Sequence, residues 1–412
     1  MAPLTWNRRR FVTASLTGGA ALAVSPRLAP AQALGANDRI RVGVVGTGGR
    51  ARGMMQRLKD LPGCELVALS DVYEPRLLEA AEIAGASAVK HPDYRRLLDD
   101  KDVHAVLVGS PDHWHLKMTE DALAAGKDVY LEKPVSHTLE DGVALLKLAS
   151  ATKQVIQTGT QQRSWEHFIL GKQLVDSGKL GQITFVHTYW HQRMGIGPWP
   201  EVDQAKLDWK GWLGSAPEQR FEPERFFRWR HFRDFGGGVL TDLMTHWIDV
   251  VHWYLGVTTP QTAVVTSGKY RVKTMDWPDT VTATLEYPKA FMVTHTGSYA
   301  SSIDDGGLEF RGDQATLKID RERLAVYSEA SRRSGQPYRQ TPEPEILVRS
   351  QADGTVAHLS NWLDCVRSRK TPNAPVPAGV EAARAAHIAN ESIAAGGARV
   401  RWNAAAGKAE KA

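Results

Sequence analysis

Residues 40–51 read IRVGVVGTGGRA. An apolar run, Arg41 to Val45, leads into Gly46-Thr47-Gly48-Gly49-Arg50-Ala51, and a helical pattern follows over Arg52 to Leu61. This is a GxGxxA loop in the setting that gives such a loop meaning, after a strand and before a helix. Gly46 permits the tight turn, Gly48 lets a pyrophosphate approach the backbone, and Ala51 keeps helix and strand close. The free N–H groups at the helix start then face the phosphates, with Thr47, Gly49 and Arg50 beside them. Asp71 ends the next strand candidate, where a carboxylate binds the adenine ribose hydroxyls. The expected ligand is a dinucleotide. Asp71 would repel a 2′-phosphate, which favours NAD, while Arg50, Arg52 and Arg76 keep NADP open.

Outward from the loop, short apolar runs alternate with amphipathic stretches. Strand candidates are Glu65 to Ser70, Ala105 to Gly109, Asp128 to Leu131 and Val155 to Thr158; helices fall between them, at Arg76 to Ala84, Leu116 to Ala125 and Leu139 to Thr152. Such alternation predicts βαβ units and a doubly wound parallel sheet, a Rossmann domain over residues 36–158. Past Thr160 the character changes. Eight of the thirteen Trp residues lie between Trp165 and Trp253. Runs of β type follow in close succession: Ile183 to His191, Val264 to Val272, Thr280 to Tyr287, Phe291 to Tyr299, Leu308 to Phe310 and Ala315 to Ile319. They predict an α+β domain with an open, mainly antiparallel sheet over residues 159–401, and a flexible tail at 402–412. A helix over Val239 to Leu255 interrupts the sheet, and another, Val380 to Ala394, packs back.

The chain has 51 Lys+Arg against 46 Asp+Glu, a formal charge of +5 that invites a nucleic-acid reading. Its beginning removes the invitation. Arg8-Arg9-Arg10-Phe11, a short apolar stretch to Val24 and Ala31-Gln32-Ala33 make a secretory signal, resembling the twin-arginine type that exports folded proteins. Residues 1–33 hold Arg8, Arg9, Arg10 and Arg27 and no acid, so 51 less these four leaves 47 basic against 46 acidic residues. No nucleic-acid partner is expected, and no stable membrane span, because the apolar stretch is too short. The expected location is periplasmic or secreted, and the expected partner on the way there is the twin-arginine export machinery. Two cysteines, Cys64 and Cys365, make no disulfide framework.

Three places carry chemistry. Glu132-Lys133-Pro134 lies at the carboxyl edge of the parallel sheet, where ligands bind in such folds. A lysine there can hold an alkoxide or carbonyl oxygen beside a nicotinamide; taken alone it reads better as a surface lysine paired with Glu132. Ser110-Pro111-Asp112-His113-Trp114-His115 ends the preceding strand and would lie over the nicotinamide side, with His113 readable also as a helix cap. Gly236-Gly237-Gly238 opens the helix that carries Asp242 and His246 at i,i+4, on one face. A carboxylate beside a histidine fixes its tautomer and tunes it for proton transfer. Asp249 continues the face, but without a third well-placed ligand no metal is expected.

In this order the motifs resemble the Gfo/Idh/MocA oxidoreductase family, over about Ile40 to Arg401. The resemblance implies a Rossmann domain, an open-sheet domain, and a substrate pocket between them. It also implies that Lys133, Asp242 and His246 form the catalytic set. The chain departs from the family in its export signal and in a Trp-rich insertion around Trp199 to Trp229.

On this reading His246 takes a proton from a sugar or polyol hydroxyl, Lys133 stabilises the developing oxyanion, and Asp242 orients the imidazole. Trp165, Tyr189, Trp190 and Trp199 are candidates to stack on a carbohydrate, and Gln161, Gln162, Arg163, His187 and His191 to hydrogen-bond it. Export away from the cytoplasmic NAD pool predicts a tightly held cofactor that returns to its starting state in each cycle. Two reactions satisfy that: coupled oxidoreduction between two carbohydrates, or glycoside cleavage through transient oxidation at C3. The chain carries no THGLGP-type segment of the kind associated with one glycosidase branch, which keeps cleavage second. A non-catalytic exported sugar-binding protein is the third reading, disfavoured by the presence of both Lys133 and His246. An exposed sheet face would suit a homo-oligomer.

Overall fold

The computed structural model describes residues 39–329 and 343–412. The expected signal peptide, residues 1–33, lies outside the described residues. The amino-terminal sheet comprises β1 (Ile40–Val45), β2 (Cys64–Ser70), β3 (Val89–His91), β4 (Ala105–Val108), β5 (Asp128–Leu131) and β6 (Ile156–Thr158), all parallel. Their order is β3-β2-β1-β4-β5-β6, the doubly wound arrangement. The strand order reverses between β1 and β4, which opens a crevice at their carboxyl ends. Helix α1 (Gly49–Leu58) starts at the glycine loop and buries Ala51, Met54, Met55 and Leu58. Helices α2 (Glu74–Ala84), α3 (Tyr94–Asp99), α4 (His115–Ala124) and α5 (Leu139–Ala151) supply the other crossovers. Thr138 and Asp141 form a reciprocal capping box that fixes the start of α5 just after the Lys133 loop.

After α6 (Glu166–Asp176) comes β7 (Ile183–His191), then an insertion with two short helices, α7 (Trp209–Leu213) and α8 (Pro223–Phe227). A π-helical turn, Leu240–Met244, runs into α9 (Thr245–Leu255). The second sheet adds β8 (Thr262–Gly268), β9 (Thr280–Tyr287), β10 (Phe291–Ser298), β11 (Gly306–Gly312), β12 (Ala315–Asp320), β13 (Arg323–Ser328) and β14 (Ile346–Arg349). Helices α10 (Gly354–Ser368) and α11 (Val376–Ala394) follow, then β15 (Val400–Asn403) and β16 (Lys408–Lys411). Among the described residues the sheet has ten strands, antiparallel except for the β7–β10 pair. Helix α9, buried nearly throughout, lies against one face of the sheet.

The carboxyl-terminal segment ties the two halves together. Leu359, Trp362 and Leu363 of α10 are buried with Met54, Met55 and Tyr130, so this late helix completes the layer over the first sheet. On α11, Val380 and Ala383 join the core of the first domain, while Ala382, Ala385, Ala386 and Ala389 join that of the second. A helix this rich in alanine can approach both layers closely. The expected flexible tail at 402–412 is corrected: Lys408–Lys411 pairs antiparallel with Val400–Asn403 at the sheet edge. Its Lys408, Glu410 and Lys411 give it the charged character of an edge strand.

Candidate active site

A cleft of about 830 Å³ runs from the glycine loop along the carboxyl ends of β1, β2 and β4. Gly46 has φ +78°, and a Cβ on it would stand 2.8 Å from the Ser110 backbone nitrogen, so only glycine fits where the loop passes β4. A Cβ on Gly48 or Gly49 would meet no protein atom within 4 Å; both stretches of backbone face the open cleft. Asp71 is on its wall, held by the backbone N–H groups of Thr47 (2.8 Å) and Tyr73 (2.9 Å). A carboxylate with lone pairs to spare, bare glycine backbone and a helix start fit the ribose and pyrophosphate of a dinucleotide.

The Trp-rich insertion roofs this cleft. Trp212, Phe226 and Phe235 form a cluster of their own with Leu207, Leu213 and Phe232, packed against Val72 and Tyr73 of the first domain. Asp208 N–H donates to the Val72 carbonyl at 2.9 Å, and the Trp114 indole N–H to the Trp212 carbonyl at 2.8 Å. The Arg76 guanidinium lies 4.2 Å from the Phe226 ring centre, on the wall beside Asp71. Trp212, Phe226 and Arg228 to Arg230 all face the cleft.

Through Arg230 the cleft reaches the reactive end. Lys133, just past β5, donates from Nζ to the Asp242 carboxylate at 2.8 Å and to its carbonyl at 2.6 Å. Arg230 Nε stands 3.1 Å from the same carboxylate, ion-paired but not aligned as a hydrogen bond, and the Tyr299 hydroxyl donates to it at 3.2 Å. Burial alone would raise the Asp242 pKa. Lys133 and Arg230 override it and hold the acid well below the usual carboxylate range. Asp112, buried at the end of β4, is pushed up to about 8 by burial, with Arg230 and Lys133 pulling the other way. His246 sits 4% exposed, its ring 5.2 Å from that of Trp190. Burial, then the charges of Lys133, Arg321 and Arg50, lowers its pKa well below 6.5, so the imidazole is neutral.

Several expectations are corrected. Asp242 does not orient His246: its oxygens serve Lys133, Arg230 and Tyr299, and His246 Nδ1 has no partner. Tyr189 and His191 lie on the sheet face away from α9, because strand alternation turns Val186, Thr188 and Trp190 inward instead. Arg163 is committed to Asp249, its Nε donating to both carboxylate oxygens at 2.9 Å. His115 is wedged between the carbonyls of Pro134 (2.6 Å) and Ser110 (3.0 Å), bracing the loops rather than facing the cleft. His113 is neither a cap nor a cleft residue; its Nε2 lies 3.2 Å from the Trp212 carbonyl, under the roof. Trp199 stacks on Phe227 (6.3 Å between centres) with Arg228 over it at 5.3 Å.

Ser110 and Pro111 line the cleft with the glycine loop and Arg50, and Glu132 is paired with Arg50 at 3.1 Å. Gln162 is fully buried, with both amide atoms unpartnered. Arg230, Tyr299 and Arg321 escaped the reading of the sequence, and no local signal marks them; Asp112 entered it only within the stretch expected over the nicotinamide side. Among the described residues no group of three or more His, Cys, Asp or Glu could hold a metal ion, and no helix is long and apolar enough to cross a membrane.

Comparison with known proteins gives matches over both domains. Residues 40–160 match the Gfo/Idh/MocA model for an oxidoreductase family with an NAD-binding Rossmann fold, and residues 172–401 its carboxyl-terminal alpha/beta domain. An uncharacterized oxidoreductase of Synechocystis is 25% identical over 84% of this chain and 91% of its own. Inositol 2-dehydrogenase 1 of Saccharopolyspora erythraea is 34% identical over 36% of this chain and 44% of its own. A levoglucosan dehydrogenase solved with NADH and levoglucosan superposes with a TM-score of 0.70 at 17% identity, over 88% of this chain and 99% of its own.

Proposed function

The chain belongs to the Gfo/Idh/MocA oxidoreductase family, with its NAD-binding Rossmann fold, and from that premise we propose that it oxidises a secondary hydroxyl of a sugar, glycoside or polyol. The observation that carries this is the continuity of one cleft, from Asp71 at its nucleotide end to Arg230, which is ion-paired to the Asp242 that holds Lys133. Inositol and levoglucosan, the substrates named for relatives, are both polyhydroxylated rings.

NAD, held by the glycine loop and Asp71, supplies the hydride acceptor. The chain's own residues handle the oxygen and its proton. Lys133 donates from Nζ to the substrate oxygen and stabilises the charge that develops there. Asp242 keeps that ammonium aimed rather than serving the imidazole. His246, neutral and with Nδ1 free, accepts the hydroxyl proton. Trp190, rather than Tyr189, offers an aromatic face on this side of the sheet. Gln162, with an unsatisfied amide, is the nearest of the expected hydrogen-bonding residues to meet that role. A Lys133→Met protein that keeps full activity would remove the lysine from this scheme.

The twin-arginine reading of residues 1–33 puts the mature protein outside the cytoplasm, with its cofactor loaded before export. The roof over the cleft supports a cofactor retained through many turnovers. Retention calls for a redox-neutral cycle, either coupled oxidoreduction between two carbohydrates or glycoside cleavage through transient oxidation at C3. Purified protein incubated without added NAD, with aryl glycosides and with free sugars, separates them. Aglycone release supports cleavage; a change in bound-nicotinamide absorbance without release supports oxidoreduction. Neither response across the panel would refute both.

A further inference from the structure

Among the described residues Arg321, in the turn between β12 and β13, forms no ion pair. Its guanidinium lies 4.4 Å above the ring of Trp190 and 5.7 Å from that of Trp247. Nε is buried without a hydrogen-bond partner, and among the described residues no carboxylate lies within ion-pairing distance. Asp305, which favours its charge from farther off, is occupied by the Trp190 indole N–H at 2.9 Å. Burial lowers the Arg321 pKa to about 10, the mark of a cation withdrawn from water without full compensation.

Its position makes this a matter of the active site. The Trp190 ring under Arg321 is the one that lies 5.2 Å from His246, so one indole is flanked by guanidinium and imidazole. Among the described residues the other cations at the reactive end, Arg228 excepted, are paired with acids. Lys133 and Arg230 share Asp242, and Arg50 pairs with Glu132. Arg228, also without an acid, lines the nucleotide cleft, where a pyrophosphate would meet it; Arg321 does not line that cleft.

We propose that Arg321 receives a carboxylate of the substrate, so that the ring oxidised at His246 and Lys133 belongs to an acidic sugar, a uronate or its glycoside. This rests on the functional reading above and narrows its substrate. A guanidinium held over an indole by its carbon keeps N–H groups for a further partner, and its planar fork matches the bidentate geometry of a carboxylate. One positive charge short of full compensation matches one carboxylate in charge as well.

The test uses the full protein with matched pairs, glucose against glucuronate and galactose against galacturonate, free and as aryl glycosides, followed by nicotinamide absorbance. Binding is read separately by quenching of tryptophan fluorescence, since Arg321 touches two indoles. A charge-assisted pair predicts that the acidic member of a pair has about ten- to hundredfold the kcat/KM of the neutral one, expressed in KM. In Arg321→Gln that ratio collapses toward one; in Arg321→Lys, which keeps the charge and loses the fork, part of it survives. Equal use of both members overturns the proposal, as does a ratio unchanged in Arg321→Gln. A preference for sugar phosphates or sulfates over uronates overturns the assignment to carboxylate. If no sugar of either kind alters the nicotinamide, the functional reading itself fails and this inference with it, an outcome distinct from turnover without acid preference.

Discussion

Trp212→Ala tests whether the Trp-rich insertion is what retains the cofactor. Trp212 is 4% exposed, stacked on Trp209 at 4.7 Å, edge-on to Phe235 at 4.6 Å and tilted against Phe226 at 5.7 Å. Truncating a buried aromatic residue costs about 3–5 kcal/mol. The insertion has its own apolar cluster, apart from those of the two sheets, so the loss falls on the attachment of the roof rather than on the fold at large. At 1.4 kcal/mol per tenfold, that is roughly two to three and a half powers of ten in the equilibrium between seated and lifted roof. The NADH dissociation rate therefore rises at least ~10-fold, up to the point where the glycine loop alone sets it. Stopped-flow nicotinamide fluorescence, chasing NADH-loaded protein with excess NAD, measures this directly, with circular dichroism as the check on folding. Release of NADH at the wild-type rate from folded Trp212→Ala would refute the reasoning.

Other substitutions and conditions probe the remaining links. Asp242→Asn leaves Lys133 and Arg230 facing an amide in a buried site; stability falls by about 3–5 kcal/mol in urea unfolding, and turnover falls with it. Gly46→Ala forces a side chain into a φ of +78° and against Ser110, and a calorimetric titration should show NAD affinity lost while the sheet spectrum remains. Burial lowers the pKa values of His113, His115, His231, His358 and His387 to about 4, and those of His252 and His295 to about 3. The unfolded chain binds protons at these sites below pH 6.5 and the folded chain does not, so stability is lost as pH falls from there toward 4. Each site contributes about 1.4 kcal/mol per pH unit over that window, and thermal melts from pH 7.5 to 5 should show a steep descent.

The first domain was legible because its signals are local. The glycine loop, its flanking strand and helix, and Asp71 lie within 32 consecutive residues, Ile40 to Asp71, and each part needs only its neighbours. The second site half was not, because it depends on strand parity and on contacts between distant segments. In β7 both alternate sets, Phe185-His187-Tyr189-His191 and Val186-Thr188-Trp190, carry aromatic residues, so polarity does not reveal which one faces inward. Only packing against α9 decides it. Spacing puts Asp242 and His246 on one helix face, yet Asp242 falls in a π-helical turn and its partners come from Lys133, 109 residues away, and from the insertion. The insertion itself has neither a period of two nor of 3.6; its Trp and Phe residues form a cluster through short turns that no periodicity announces. The edge strand Lys408–Lys411 reads as a solvated tail because charge is what protects an edge.

Hydride transfer is the centre of the account, and isotopic labelling tests it most directly. The purified protein, given NAD and a sugar or uronate panel deuterated at each ring carbon in turn, should yield nicotinamide carrying deuterium from one carbon only, by mass spectrometry. In a redox-neutral cycle the label would instead be found returned to the product or passed to a second carbohydrate. Substrate consumed with no label ever passing through the nicotinamide or between carbohydrates would contradict the account.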